Sequence, residues 1–309
     1  MSQNKQVRVC ITGGTGFVGL SLSSLLIRRG CEVTLLTNER TLPPDLAARP
    51  NAYIVQCDLL DYAKVRKYLS GQDCLIHNSI IWSDDDEMPA STDFESSISL
   101  FQAAAEAKIK RVIYTSSTAV HRPFKPFMTA QDEVEPYDAY AFVKSQNEVL
   151  LATLSEKLGF EGTVIRPGPV VGPPGYEGER LKINNQINRI FNLALDNAPI
   201  RLDEERGRQF IGRDDLAKVF LAAIQPKAET GTYIAVADNL TTWESIARLI
   251  VEKLDSKSEI IPSANQAPEC RFDTMPLIKK LGLRFNSEAS LAAMIDSMTS
   301  EYSSGPFSL

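Results

Sequence analysis

The sequence predicts an α/β fold, a doubly wound parallel sheet with helices on both faces. Three observations carry that expectation. Short apolar strands alternate with amphipathic helices through the first half of the 309 residues. A glycine-rich turn joins the first strand to the first helix. The strands are apolar on both faces, as strands covered by two helix layers must be. Crossovers between such strands are right-handed.

The elements follow in order. Val7–Ile11 is an apolar strand. Phe17–Arg29 is a predicted helix, with Val18, Leu22, Leu25 and Leu26 on one stripe and Gly30 as its stop. Val33–Leu36 and Tyr53–Cys57 are the second and third strands, with a short helix over Asp61–Leu69. Cys74–His77 is the fourth strand, followed by a helix over Thr92–Ala107. Arg111–Thr115 is the fifth strand, Ala139–Leu158 a long helix and Thr163–Arg166 a sixth strand. Beyond Arg166, the segments Pro167-Gly168-Pro169 and Gly172-Pro173-Pro174-Gly175 interrupt regular structure. Helices are then expected over Ile183–Leu195, Asp214–Ile224 and Thr242–Leu254, a strand over Tyr233–Val236, and at least one helix within Arg271–Met298. The acidic run Asp84-Asp85-Asp86-Glu87 reads as a solvated loop.

Composition narrows the classes of function. The chain is long enough to bury a large core. A net charge of −6 argues against broad electrostatic binding to nucleic acid or anionic membrane. No apolar run is long enough to span a bilayer, and the polar start MSQNKQ is unlike a signal peptide. The five cysteines form no C-x-x-C pair and read as small buried hydrophobes in a reducing cytoplasm. The only histidines, His77 and His121, leave too few ligands for a His-rich metal site.

The turn Thr12-Gly13-Gly14-Thr15-Gly16-Phe17-Val18-Gly19 sits between strand and helix, the context in which this glycine spacing cradles a pyrophosphate. Gly13, Thr15, Gly16, Phe17, Val18 and Gly19 are the expected cofactor contacts. The end of the second strand should read the ribose, and Thr37-Asn38-Glu39-Arg40 fits neither the acidic nor the basic rule. Asn38 and Arg40 are candidate contacts, and NAD or NADP both stay open. Asp58 and Leu59 are placed for the adenine edge; the structural reading of Asp58 is a helix N-cap, and the two roles can coexist.

A second cluster carries chemistry. Tyr140 and Lys144 lie one turn apart on a predicted helix and share a face. Tyrosine titrates near pH 10, so it needs help to act as an acid or base. A neighbouring ammonium and a cationic nicotinamide both favour the phenolate, and that pairing is expected to lower the Tyr140 pKa. Lys144 is also expected to bond the nicotinamide ribose. Ser117, at the end of Tyr114-Thr115-Ser116-Ser117, is expected to hold the substrate oxygen, with Thr118 beside it.

Together these motifs resemble an extended short-chain dehydrogenase/reductase of the NAD-dependent epimerase/dehydratase family, over essentially the whole length. The resemblance implies a Rossmann-type domain over 1–171, with 208–237 returning to it. It implies a smaller substrate-binding lobe from 172–207 and 238–309, where Asp273 and Leu281-Gly282 resemble the family. The segment Arg166–Pro173 resembles the turn beside the nicotinamide, which adds Pro167 and Val170 to the cofactor contacts. The segment Arg208-Gln209-Phe210-Ile211 with Asp214–Ala217 resembles one whose arginine meets a substrate diphosphate, which implies that role for Arg208; a structural salt bridge is the other reading. A homodimer through the helices at Thr92–Ala107 and Ala139–Leu158 is also implied, with Val143, Leu150, Leu154 and Leu158 as a candidate apolar stripe that core burial alone would also explain.

Some positions depart from the pattern. Asp93 stands where an asparagine supports a water relay. Thr118-Ala119-Val120 replaces the acidic pair of the 4,6-dehydratases, which speaks against that reaction. His121 and Gly212 at frequent Tyr and His positions suggest a divergent substrate pocket. The expected function is an NAD(P)-dependent epimerase or oxidoreductase acting on a nucleotide-linked sugar. Reduction of a non-sugar carbonyl and dinucleotide sensing without catalysis are the alternatives.

Overall fold

The computed structural model describes residues 6–38, 42–83, 89, 91–176, 184–202, 207–263 and 269–303. In chain order the elements of the first half are β1 (Arg8–Thr12), α1 (Phe17–Arg28), β2 (Glu32–Thr37), α2 (Pro44–Ala47), β3 (Ala52–Gln56), α3 (Tyr62–Leu69), β4 (Cys74–His77), α4 (Thr92–Glu106), β5 (Arg111–Thr115), β6 (Phe127–Met128), α5 (Ala139–Leu158) and β7 (Glu161–Pro167). The second half adds β8 (Val170–Val171), α6 (Asn185–Leu195), β9 (Ile200–Arg201), β10 (Gly207–Arg208), β11 (Ile211–Gly212), α7 (Arg213–Ala223), β12 (Gly231–Ala235), β13 (Thr241–Thr242), α8 (Trp243–Lys253), β14 (Ile260–Ile261), β15 (Arg271–Phe272) and α9 (Glu288–Ser303).

Seven strands form one sheet in the order β12-β7-β5-β4-β1-β2-β3, every pair parallel. The order reverses between β1 and β4, which opens a crevice at their C-terminal ends, the site where such sheets bind ligands. β4 and β5 are buried along their whole length, as strands under two helix layers should be. One face packs on α1 and α7, through Leu22, Leu26, Leu216 and Phe220. The other packs on α3, α4 and α5, through Val65, Leu100, Phe101 and Leu151. A third cluster joins α6, α8 and α9 through Ile187, Phe191, Trp243, Ile246, Met294 and Met298.

The main elements match the periodic pattern to within two residues at each end. Gly30 stops α1 at φ +82°. The short ladders β6–β15, β8–β11, β9–β14 and β10–β13 were not expected, because two-residue pairings are too short to leave a periodic signal. The candidate stripe on α5 needs correction. Leu150 and Leu154 pack against the second core cluster and Val143 is half-buried, so of the four only Leu158 faces outward. The exposed apolar side chains of this helix are Phe142, Val149 and Leu158. Asp84–Glu87, Ile183 and Arg40 lie outside the described residues.

Candidate active site

The glycine turn is built by close approach. Gly13 has φ +66°, and a Cβ there would lie 2.8 Å from the backbone of Ser79. A Cβ on Gly19 would lie 1.9 Å from the Gly13 carbonyl oxygen, so strand and helix meet only because that atom is missing. Gly16 is the N-cap of α1 and supplies no side-chain cap. A Cβ there would meet only the Gly13 oxygen, at 3.6 Å, and otherwise open space. The first N–H groups of α1 therefore point into the crevice without a protein acceptor from the cap. That is a cradle fitted to the pyrophosphate of a dinucleotide. Thr15 and Thr37 hydroxyls lie 3.3 Å apart beneath it. Asp58 is not the N-cap of α3, because Asp61 accepts the Lys64 N–H at 3.0 Å; the Asp58 carboxylate accepts from Leu60 within its own turn.

Asp138 caps α5 by accepting the Ala141 N–H at 2.8 Å, which places Tyr140 in the first turn and Lys144 one turn on. Lys144 is buried, and its ammonium donates to the Thr115 carbonyl at 2.8 Å. Burial lowers its pKa to about 8, against the carboxylates of Asp93 and Glu148, which hold it up. Tyr140 departs from expectation: its pKa is raised, not lowered. Loss of hydration is the leading cause, and a hydrogen bond with Ser117 opposes it. The Lys144 nitrogen sits 5.8 Å from the Tyr140 ring centre and 5.0 Å from that of Tyr114, so its charge is shared with the strand behind. Ser117 caps the short 3-10 turn Thr118–His121 by accepting the Ala119 N–H at 3.1 Å.

One neighbour of Tyr140 was not foreseen, and Asp93, singled out as a departure from the family pattern, lies close by. The Trp82 ring lies parallel to that of Tyr140, 2° between planes and 5.9 Å between centres. A tryptophan in a non-repeating segment after β4 gives no local signal that it will reach α5. Asp93, in the first turn of α4, is buried and accepts from the Ile81 N–H at 2.7 Å and from Asn147 Nδ2 at 3.3 Å. Both histidines are buried and structural. His77 bridges Thr12 at 2.8 Å and Ser97 at 2.9 Å, and burial lowers its pKa to about 3. His121 receives a hydrogen bond from Arg166 at 2.8 Å, and its pKa falls to about 4.

One cleft of about 1650 Å³ runs from the glycine turn to the third core cluster. It brings together Gly13, Thr15, Gly16, Phe17, Val18, Gly19, Asn38, Asp58 and Leu59 at one end. Ser117, Thr118, Tyr140, Lys144, Pro167 and Val170 line its middle. Arg208, Trp243 and the start of α6 at Asn184 line the far end, with the Arg208 guanidinium 6.0 Å over the Trp243 ring. Trp82, Phe124, Tyr137 and Phe272 add an aromatic wall to the cleft, with Trp82 against Tyr140 and Phe124 edge-on to Phe272 at 5.5 Å. His121 and Gly212 are not among the residues that line the cleft, although the His121 ring packs 6.2 Å from that of Phe272, which does; a Cβ on Gly212 would strike Ser290 on α9. Among the described residues no group of His, Cys, Asp and Glu is arranged to hold a metal ion, and no helix is long and apolar enough to cross a membrane. The five cysteines are free thiols, with four of them buried.

The family model for the NAD dependent epimerase/dehydratase family matches residues 9–237. The uncharacterized protein y4nG of Sinorhizobium fredii is 25% identical over 81% of this chain, and the match spans only 61% of that protein's length. A UDP-N-acetyl-alpha-D-glucosaminuronate decarboxylase of Bacillus cytotoxicus is 25% identical over 82% of each chain. Cinnamoyl-CoA reductase 1 of Petunia hybrida is 28% identical over 88% of this chain and 82% of that one. Among solved structures, the UDP-glucuronic acid 4-epimerase of Bacillus cereus, in complex with UDP-glucuronic acid and NAD, aligns with TM-score 0.80 and 17% identity. That alignment covers 96% of this chain and 100% of the other, and at this identity it establishes the fold.

Proposed function

The chain belongs to the NAD dependent epimerase/dehydratase family, and from that premise we propose that it is an NAD(P)-dependent epimerase or oxidoreductase of a nucleotide-linked sugar. One observation carries the reading: a single cleft joins the glycine cradle, the Ser117–Tyr140–Lys144 cluster and the Arg208–Trp243 end. A nicotinamide dinucleotide, when bound, supplies the donor or acceptor of a hydride. Gly13–Gly19 hold its pyrophosphate; Asn38, Asp58 and Leu59 flank its adenosine; Lys144, Pro167 and Val170 flank its nicotinamide end. Tyr140 gives or takes the substrate hydroxyl proton at its phenol oxygen, and Ser117 holds that oxygen by hydrogen bonding as its charge changes. Lys144, charged in its burial, favours the phenolate. Arg208 is the cation for a diphosphate, and the buried Trp243 ring backs its guanidinium at 6.0 Å.

Residues 172–207 and 238–309 form the lobe that takes the substrate in this reading, and two copies pair through α4 and α5. A second reading rests on the aromatic wall of Trp82, Phe124, Tyr137 and Phe272, which also suits a flat carbonyl compound reduced without a nucleotide. The deciding experiment incubates the protein with NAD or NADPH and panels of UDP-sugars and of aryl carbonyls, and follows sugar isomers and nicotinamide absorbance. Turnover of a UDP-sugar is expected, with Tyr140→Phe reducing it roughly 100-fold to 10,000-fold, the usual worth of a positioned acid or base. Unchanged turnover in Tyr140→Phe removes the mechanism. Turnover confined to aryl carbonyls selects the second reading.

A further inference from the structure

Asn147 joins Asp93 to the surroundings of Lys144: its amide donates to Asp93 Oδ2 at 3.3 Å and to the Tyr114 hydroxyl at 3.1 Å, and the Lys144 nitrogen sits 5.0 Å from the Tyr114 ring centre. Two carboxylates, Asp93 and Glu148, hold the Lys144 pKa up. Their surroundings differ. Glu148 is committed elsewhere: Arg166 grips both its oxygens, at 2.9 and 2.5 Å, and Ser116 donates to it as well. Asp93 meets only neutral N–H donors, the Ile81 backbone at 2.7 Å and the Asn147 amide at 3.3 Å. It is 2% exposed, so water screens its charge little. The Ile81 N–H that it holds belongs to the residue before Trp82, whose ring lies parallel to that of Tyr140.

The geometry points to Asp93 as a positioning residue that governs Tyr140 by two routes, as the counter-charge of the Lys144 ammonium and as the anchor of the segment that lays Trp82 against the Tyr140 ring. On the first route burial raises the Asp93 carboxyl's own pKa, while the Ile81 N–H, the Lys144 ammonium and the Asn147 amide favour its charged form. Lys144 faces Asp93 from α4, Glu148 and Tyr140 from its own helix, Tyr114 from β5 and the neutral His77 from β4. Of these, Asp93 is the anion without a cationic partner of its own other than Lys144 among the contacts described above. Without its charge, burial draws Lys144 further towards the neutral amine. The inference rests on the proposed reading in that Lys144 is taken to touch the dinucleotide.

The test compares the native chain with Asp93→Asn, which keeps an oxygen for the Ile81 N–H and removes the charge. NADH affinity is followed by its fluorescence from neutral to alkaline pH. The native protein is expected to lose affinity as Lys144 deprotonates, Lys144→Met to lack that limb, and Asp93→Asn to lose affinity at lower pH. Each unit of displacement lowers the charged fraction above the limb about tenfold. A second readout needs no cofactor: the emission of Trp82, taken as the difference between native chain and Trp82→Phe, is followed over the same range. Its alkaline change is expected to move with the limb in Asp93→Asn. Its neutral-pH value is expected to persist in Asp93→Asn and to change in Asp93→Ala, which frees Ile81. An alkaline limb unmoved in Asp93→Asn, or one that persists in Lys144→Met, overturns the counter-charge. Native Trp82 emission in Asp93→Ala overturns the anchor. If NADH does not bind the native chain, the proposed function fails, and the emission titration still decides for or against Asp93.

Discussion

Tyr140 and the buried charges around it show how much a residue's chemistry depends on what surrounds it. In isolation the Tyr–Lys spacing suggests a lowered phenol pKa. In the fold, desolvation outweighs the Ser117 hydrogen bond and the Arg122 charge, and Tyr140 holds its proton more tightly than a free tyrosine. Its Ser117 hydrogen bond works the other way, so that hydroxyl tunes the phenol. His77 makes a separate prediction, about stability. Its pKa falls from 6.5 to about 3, because protonation would place a charge in the core beside Lys144. Between those values the unfolded chain binds more protons than the folded one, so stability rises with pH. The contribution is complete above about 6.5 and is lost as pH falls towards 3. Denaturant midpoints across that range should fall steadily on acidification, each pH unit weighing up to about 1.4 kcal/mol for one group. His77→Gln, which cannot charge, should be less stable at neutrality but flatter with pH. An equal slope in both proteins assigns acid sensitivity to other groups.

At the scale of elements, the β1–α1 unit makes its own prediction, because its glycines serve unlike purposes. Gly19 lets helix and strand touch, and its Cβ would overlap the Gly13 carbonyl. Backbone cannot yield as a flexible side chain can, so Gly19→Ala should cost roughly 1–3 kcal/mol or more in folding stability. Gly16→Ala meets only an ordinary contact at 3.6 Å in the protein. Its added methyl group instead occupies the crevice where the pyrophosphate is proposed to lie. Thermal melts should therefore show Gly16→Ala folded and Gly19→Ala weakened. NADH titration should show lost affinity in Gly16→Ala despite its fold. Native affinity there would move the pyrophosphate off this turn. The helix α5 makes a second, smaller point. Its exposed Phe142, Val149 and Leu158 replace the stripe expected from spacing, because Leu150 and Leu154 are drawn under the neighbouring core. If two copies pair there, sedimentation should give a dimer, and Val149→Lys should shift it to monomer.

Across the whole molecule, the sequence reveals the parts that depend on neighbours in the chain. The succession of β1 to β5 and β7, the glycine turn and the Tyr140–Lys144 pair follow from periods of two and 3.6 and from spacing. Trp82 against Tyr140, Asp93 beside Lys144 and the Glu148–Arg166 pair under Ser116 join elements far apart in sequence, and no local pattern encodes them. The same holds for the far end of the cleft, where Arg208 on β10 meets Trp243 at the start of α8. That separation yields the last prediction. The cradle at Gly13–Gly19 and Arg208 line one cleft from separate elements, the β1–α1 turn and β10, so their ligands should be separable. UDP binding, measured by calorimetry, should weaken in Arg208→Met by about 1.5–3 kcal/mol, the worth of a hydrogen bond to a charged group. That is roughly a tenfold to hundredfold loss. NADH affinity should stay native in the same variant. A native chain that ignores UDP refutes the nucleotide-sugar assignment while leaving the dinucleotide cradle intact. A parallel loss of both ligands in Arg208→Met makes Arg208 a structural tie between the two ends, as the salt-bridge reading of that residue requires.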